Sequence, residues 1–196
     1  LSSDPAPVTP AFLGGLLEDC DQLGALIEQI LFLAKSGDGQ NNVAMEPLSA
    51  LELLEETRAF FEAAAEERNV TLQVVSEIEV SFQGNRLLLL RAFHNLVSNA
   101  LKHTREAGCV QLGARAELER VCLWVQDDGN GIPSNWIARL GTPFLKGPSS
   151  ASRDGLGLGL AIVRRVAHLH GGEMQIQSAV GQGTRVELHL PRLCRL

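Results

Sequence analysis

One segment of the chain carries a polar stripe on what otherwise reads as an amphipathic helix. Residues 95–104 read NLVSNALKHT, and helical spacing places Asn95, Asn99 and Lys102 on one face, with Arg91 one turn earlier. Amide oxygens are neutral ligands that suit Mg²⁺, and a lysine supplies a point charge for phosphate. The stripe therefore indicates either a magnesium and phosphate site or a solvated helix face. The other face is an ordinary apolar pattern of Leu90, Phe93, Val97, Ala100 and Leu101.

A second candidate site follows the apolar run VCLWV, where the chain continues as DDGNGIP from Asp127 to Pro133. Asp-Gly and Asn-Gly are turn dipeptides, so a plain turn at a strand end is one interpretation. The other is a pocket in which the Asp127 carboxylate accepts a hydrogen bond from an exocyclic amine. In that interpretation the glycines let the backbone lie close to a flat ring.

A third candidate is GLGLGL, from Gly155 to Leu160, which opens a predicted helix. Free backbone N–H groups and a helix N-terminus suit phosphate, although a flexible linker would have a similar composition. No strand leads into these glycines, which argues against a Rossmann fingerprint. No GK[ST] follows them, which argues against a Walker loop.

The bulk composition limits the functional classes. The 196 residues carry a net charge of −6, which argues against nucleic acid as the main partner. No apolar run approaches the roughly 20 residues of a membrane span. The start, LSSDPAPVTP, resembles no signal peptide and has no initiator Met, so we expect a fragment of a longer protein. The four cysteines lack zinc-site spacing and are expected to be small buried residues.

The N-terminal part predicts one bundle-type helix. Its apolar seam alternates spacings of three and four residues: Leu13, Leu16, Cys20, Leu23, Ile27, Ile30 and Ala34. The breaker SGDGQNN follows. Only one such helix is present, so its partner is expected from another chain or from a segment outside this sequence.

The remaining pattern predicts an α+β fold. We expect helices over Pro47–Arg68, over 85–104 and after the glycine run. Strands are expected in adjacent pairs, at 70–76 with 78–82, 109–118 with 120–127, and 173–179 with 184–191. Paired strands with helices between the pairs favour a two-layer sandwich over an alternating doubly wound sheet.

The motifs together resemble the sensor histidine kinases and, more widely, the ATPases with the Bergerat fold. NLVSNALKH resembles the N box, DDGNGIP the first glycine box, TPFLKG the F box, GLGLGLAIV the second glycine box and GQGTRVELHLP the last one. The resemblance implies a two-layer α/β sandwich with a mixed sheet and three main helices, preceded by one bundle-type helix. Residues 1–40 would be the second helix of a dimerisation and phosphotransfer hairpin, and residues 41–196 the catalytic ATP-binding domain.

The resemblance also implies a ligand set. Asp127 would bind adenine, with Gly183 and Thr184 nearby, Phe144 would anchor a lid, and Asn99 with Asn95 would hold Mg²⁺. The complete ATP-binding set would be Asn95, Asn99, Lys102, His103, Asp127, Gly129, Gly131, Ile132, Phe144, Lys146, Gly155, Gly157, Leu158, Gly159, Leu160 and Thr184.

Two departures bear on the mechanism. Gyrase-type and MutL-type relatives carry a Glu where Asn95 stands here, and an amide cannot accept a proton from water near neutral pH. The site is therefore expected to favour phosphoryl transfer over rapid hydrolysis.

None of the five histidines (His94, His103, His168, His170 and His189) lies in the H-E-x-x-T-P-like acceptor motif. The acceptor is expected outside this chain, which then holds no catalytic residue of its own.

By resemblance, this is the cytoplasmic ATP-binding core of a kinase that phosphorylates a histidine for relay to a response regulator receiver domain. The parent protein would dimerise through its hairpin bundle and lie in the bacterial inner membrane through an N-terminal sensor part. One alternative is a non-catalytic, nucleotide-gated module that regulates another kinase through the bundle helix. A serine kinase of the anti-sigma type is a third interpretation, against which the helix at 13–34 argues.

Overall fold

The computed structural model describes residues 23–24, 26–34, 43–75, 80–145 and 156–192. The chain divides into two compact units, Leu1–Gly39 and Gln40–Leu196. In the first unit, residues 23–24 and 26–34 are helical (α1), as the heptad pattern predicts. The seam residues Leu23, Ile27 and Ile30 are exposed there. Among the described residues, no helix is both long and apolar enough to cross a membrane.

The second unit has the predicted α+β architecture. Its elements are β1 (Glu46–Ser49), α2 (Ala50–Glu67), β2 (Thr71–Val74), β3 (Ser81–Gly84), α3 (Arg86–His103), β4 (Cys109–Ala116), β5 (Arg120–Asp127), α4 (Ser134–Ile137), α5 (Gly159–Leu169), β6 (Glu173–Ser178) and β7 (Thr184–Pro191). Five strands form a sheet in the order β2-β4-β5-β7-β6, and β1 pairs with β3 separately. Only β2 with β4 is parallel in that five-stranded sheet, so the sheet is mixed, as expected.

The two faces of the sheet differ in chemistry. One face of the sheet is covered by helices, because α3 packs against β5 and also against α5. On this face every second residue of a central strand is buried, for example Leu112 of β4, Leu123 of β5 and Leu188 of β7. The next residues along the central strands, including Trp124 and Glu187, point to the opposite face. The helices therefore form one layer on the apolar face, and the other face of the sheet is polar.

The helix predicted from Pro47 begins three residues later than expected. Pro47 lies in β1, where it pairs with Gln83. Ser49 is the N-cap of α2 because its side chain accepts a hydrogen bond from the Glu52 N–H at 3.3 Å. Such a cap satisfies a backbone donor that has no partner within the helix, so it fixes where the helix begins.

The prediction that 70–76 and 78–82 pair around a short turn is wrong. Strand β2 pairs in parallel with β4, and β3 pairs antiparallel with β1. A parallel pair needs a long crossover connection, which α3 supplies here. The other two predicted hairpins are present as β4 with β5 and β6 with β7. The predicted helix at 85–104 is also present, capped by Asn85, whose Oδ1 accepts from the Leu88 N–H at 3.0 Å.

Candidate nucleotide site

The amide stripe of α3 faces the second glycine box. Asn95 Nδ2 donates to the carbonyl oxygen of Arg91 at 2.8 Å, so its Oδ1 points away from that carbonyl. A Cβ added to Gly159 would lie 3.0 Å from Asn95 Oδ1 and 3.4 Å from Asn99 Nδ2. The two motifs, separated by more than 50 residues of sequence, therefore form one site.

The N-terminus of α5 is open to an anion. Its N-cap is Leu158, which makes no side-chain capping hydrogen bond. The first backbone N–H groups of a helix have no partner within the helix and bind phosphate readily. Gly157 precedes the cap at φ +72°, and a Cβ there would lie 2.5 Å from the carbonyl oxygen of Leu145. Only glycine fits at this close backbone approach.

Asp127 lies at the end of β5 and is mostly buried. Its Oδ1 accepts hydrogen bonds from the backbone N–H groups of Gly129 at 2.9 Å and Thr184 at 3.2 Å. Burial raises the pKa of this carboxyl, and the two N–H donors partly offset that rise. No described residue donates a hydrogen bond to the second carboxylate oxygen, which can therefore accept one from a ligand amine.

The first and last glycine boxes are joined through Ser178, which the sequence reasoning missed. Its Oγ accepts from the Ile132 N–H at 2.8 Å, donates to the Gly183 carbonyl at 2.8 Å and lies 2.9 Å from Thr184 Oγ1. The strand EMQIQS offered a signal. Its alternation places this polar side chain on the same face as the apolar Met174 and Ile176.

The end of α3 packs against the first glycine box. The carbonyl of His103 accepts from the Asn130 N–H at 3.4 Å, and a Cβ on Gly129 would lie 2.3 Å from that same oxygen. The His103 ring is half-buried, and its pKa is lowered by burial and then by the charge of Lys102. Both effects favour the neutral imidazole, which can donate or accept a hydrogen bond.

Several predicted ligand residues are not placed in this cluster. Phe144 has φ +65° and a side chain 61% exposed, so the structure does not show it packed as a lid anchor. Its role stays a prediction. Lys146 and Gly155 lie outside the described residues, and Leu160 follows Gly159 in the first turn of α5.

His94 and His170 take structural positions. His94 faces α2, where its ring stacks on Phe60 with 4.3 Å between centroids. Burial lowers the pKa of His94, and the nearby Glu56 opposes that effect. His170 is buried at the end of α5, where its Nε2 accepts from the Asn85 N–H at 2.9 Å. The expectation that neither ring is a phosphoryl acceptor stays a prediction.

Comparison with known proteins gives a family for the chain that carries these sequence motifs. Residues 84–193 match the family described as histidine kinase-, DNA gyrase B- and HSP90-like ATPases. This chain belongs to that family. It is 33% identical over 175 residues to the alginate biosynthesis sensor protein KinB of Pseudomonas aeruginosa, covering 89% of this chain but 29% of KinB. The predicted resemblance to sensor histidine kinases is thereby confirmed.

Solved structures agree with the assignment of the fold. Full-length ShkA in complex with AMPPNP superposes with a TM-score of 0.84 at 26% identity, covering 96% of this chain and 40% of ShkA. Histidine kinase ThkA, in complex with response regulator TrrA, gives a TM-score of 0.74 at 20% identity, covering 97% of this chain and 53% of ThkA. The α+β ATPase fold is confirmed, and the chain spans under a third of KinB.

Proposed function

We propose that this chain is the ATP-binding kinase core of a two-component sensor histidine kinase. The observation that carries the proposal is the meeting of Asn95 and Asn99 with Gly159 at the uncapped start of α5. The Asn95 amide oxygen, the neighbouring Asn99 amide, glycine backbone and the N-terminal N–H groups of a helix together suit a magnesium triphosphate. Asp127, fixed by two backbone donors, would hold the adenine.

The residues present fit a magnesium ion. The Asn95 amide is oriented by its bond to the Arg91 carbonyl, which directs its oxygen toward Gly159. Asn99, with Asn95, would hold Mg²⁺, which keeps several waters and takes its other ligands from phosphate oxygens. When bound, the ion neutralises charge on the transferring phosphoryl group. Lys102, and Lys146 outside the described residues, would add positive charge.

The chemistry proposed is transfer of the γ-phosphoryl group to a histidine outside this sequence. Asn95 has no basic lone pair near neutral pH, so it cannot activate water for hydrolysis. The His94 ring stacks on Phe60, and the backbone of His103 is fixed against the first glycine box. In-line transfer needs an acceptor at near-contact distance, and these two rings share a helix with the ligands.

The proposal extends to partners and location. The exposed seam Leu23, Ile27 and Ile30 supports association through a hairpin bundle, because such a stripe is stabilised by packing against other helices. ThkA is seen with a response regulator, and a receiver domain is the proposed downstream partner here as well. The parent protein would lie in the bacterial inner membrane, as expected of a sensor kinase.

A trans-phosphorylation assay tests this function. The chain is incubated with γ-labelled ATP and Mg²⁺, alone and with a separate dimerisation hairpin that carries an H-E-x-x-T-P histidine. We expect acid-labile label on the hairpin only. Asn99→Ala should abolish it, whereas Ser98→Ala, an exposed neighbour on α3, should not. Stoichiometric acid-labile label on a histidine of this chain would overturn the proposal.

A further inference from the structure

The polar face of the sheet holds a cluster that the nucleotide site does not use. Cys122 of β5 and His189 of β7 are opposite each other in the strand register, and both are buried. Cys122 Sγ lies 4.0 Å from His189 Nε2. Glu117, in the turn after β4, places a carboxylate oxygen 3.6 Å from His189 Nδ1. A thiol, an imidazole and a carboxylate thus meet at one point.

We propose that Glu117, Cys122 and His189 form a binding site for a zinc-type divalent transition metal. One ligand atom from each residue lies within 4.8 Å of the other two. Ligand atoms of a tetrahedral zinc site are about 3.3–3.7 Å apart, given the usual bond lengths, so a contraction of roughly 1 Å closes the site. A water would complete the coordination. Sulfur and imidazole together favour zinc or cobalt over magnesium or calcium.

A second carboxylate, from Glu187, lies beside the His189 ring. Glu187 Oε2 lies 3.1 Å from His189 Nε2, the ring nitrogen that also faces Cys122 Sγ, so a metal bound at Nε2 would replace this hydrogen bond. Arg115 and Arg185 in turn hold this carboxylate, at 3.0 Å and 2.7 Å.

The positive charge of Arg115, beside Glu117, still allows a divalent cation to bind at this site. Arg115 contacts Glu117 at 3.3 Å and would compete with the metal for that carboxylate. It keeps a second partner in Glu187, so Glu117 can turn to the metal without leaving the guanidinium unpaired. Glu117 lies in an exposed turn with its side chain 34% exposed, which gives an ion a route to the buried sulfur.

The site is distinct from the nucleotide site. Cys122 and His189 are each five residues from the nucleotide ends of their strands, Asp127 and Thr184. Five residues of strand span about 16 Å and reverse the side-chain direction. The metal would therefore bind on the polar face of the sheet, opposite the nucleotide site. It would connect β5 and β7, the two strands whose ends are proposed to bind the adenine.

Cobalt spectroscopy without nucleotide tests the proposal. Co²⁺ bound by a thiolate gives a charge-transfer absorption in the near ultraviolet. We expect this absorption at one Co²⁺ per chain and its displacement by Zn²⁺. Cys122→Ser should remove the band, and Cys109→Ser, on the neighbouring strand β4, should leave it unchanged. Absence of the band in the unmodified chain, or its persistence in Cys122→Ser, would overturn the site.

A second variant covers the case in which Cys122→Ser does not fold, which circular dichroism would reveal. Glu117→Gln lies in an exposed turn and leaves the buried residues intact. It should keep the band and weaken Co²⁺ and Zn²⁺ affinity by about tenfold or more. Unchanged affinity in Glu117→Gln would remove this residue from the ligand set and refute the three-residue site.

Discussion

Thr184 donates its backbone N–H to Oδ1 of Asp127 at 3.2 Å, across a sequence separation of 57 residues. The Gly129 N–H is bonded to the same oxygen. One carboxylate oxygen thus bonds backbone donors from both the first and the last glycine box. An amide at this position would keep one oxygen for the two backbone donors, but it would present an NH₂ donor in place of the second carboxylate oxygen.

Asp127→Asn should therefore weaken nucleotide binding. Losing an optimal hydrogen bond at a buried site costs about 1–3 kcal/mol, equivalent to roughly 5- to 150-fold in affinity. Titration calorimetry with a non-hydrolysable ATP analogue measures the change, and circular dichroism checks folding. Asp128→Asn is the matched control because Asp128 is exposed and adjacent. Equal affinities in the two variants would contradict the adenine assignment.

The last glycine box offers a paired test of backbone geometry. Gly183 and Gly181 both have positive φ, +82° and +77°. A Cβ on Gly183 would lie 1.9 Å from the Asp127 carbonyl oxygen, whereas one on Gly181 meets nothing within 4 Å. Both alanine variants carry a left-handed strain of about 1–2 kcal/mol, and only Gly183→Ala adds a clash.

Gly183→Ala should thus unfold at a clearly lower denaturant concentration than Gly181→Ala and should bind the ATP analogue more weakly. Urea unfolding followed by circular dichroism gives the first comparison and calorimetry the second. If the two variants are equally stable, the short distance between Gly183 and the Asp127 carbonyl oxygen does not exclude a side chain at Gly183 in solution.

Ser178 links the first and last glycine boxes, and we expect it to position them for nucleotide binding. Its hydroxyl bonds the Ile132 N–H and the Gly183 carbonyl, so Ser178→Ala leaves both without that partner. A fully buried polar group that loses its partner costs about 1–3 kcal/mol, and these part-buried groups should cost less. We expect lower stability and weaker analogue binding, with rescue by Ser178→Thr, which retains the hydroxyl. Ser98→Ala serves as the exposed-serine control.

Local signals explain what the sequence predicted well. Helix α3 has a capping Asn85 and a continuous apolar face, and β6 with β7 joins through a glycine turn. The helix and the hairpin each depend on residues that are close in sequence, so each could be predicted from the sequence pattern. The three site motifs could be combined only through family resemblance, because spacing alone does not bring Asn95 to Gly159.

Non-local pairing explains what the sequence did not predict. Strand β2 was expected beside β3, but its partner is β4, reached after α3. Nothing in a four-residue strand specifies its neighbour, since side-chain alternation is satisfied by either pairing. Ser49 carried a local signal, with Glu52 three residues on, that would have placed the start of α2 correctly.

The polar face of the sheet yields a pH-dependent prediction through Glu187. Burial alone would raise the pKa of this carboxyl, but hydrogen bonds from Arg115 and then Arg185 outweigh burial and lower it from 4.5 to about 2. A folded-state pKa below the unfolded one means that the ionised carboxylate stabilises the fold. That stabilisation is fully present above pH 4.5 and is lost as the pH falls toward 2.

Glu187→Gln should therefore lower the free energy of unfolding at pH 7 by up to about 3 kcal/mol. The loss should be smaller than this limit because Arg115 is partly exposed and solvent screens its interaction with Glu187. The difference from the unmodified chain should shrink when urea unfolding is repeated at pH 4 and then pH 3, because the Glu187 carboxyl of the unfolded chain becomes protonated in this range while that of the folded chain remains largely ionised. Glu173→Gln removes the exposed pair with Arg120 and should cost under about 1 kcal/mol. A Glu187→Gln penalty that stays constant from pH 7 to pH 3 would show that this carboxylate is not stabilised in its charged form by the two arginines.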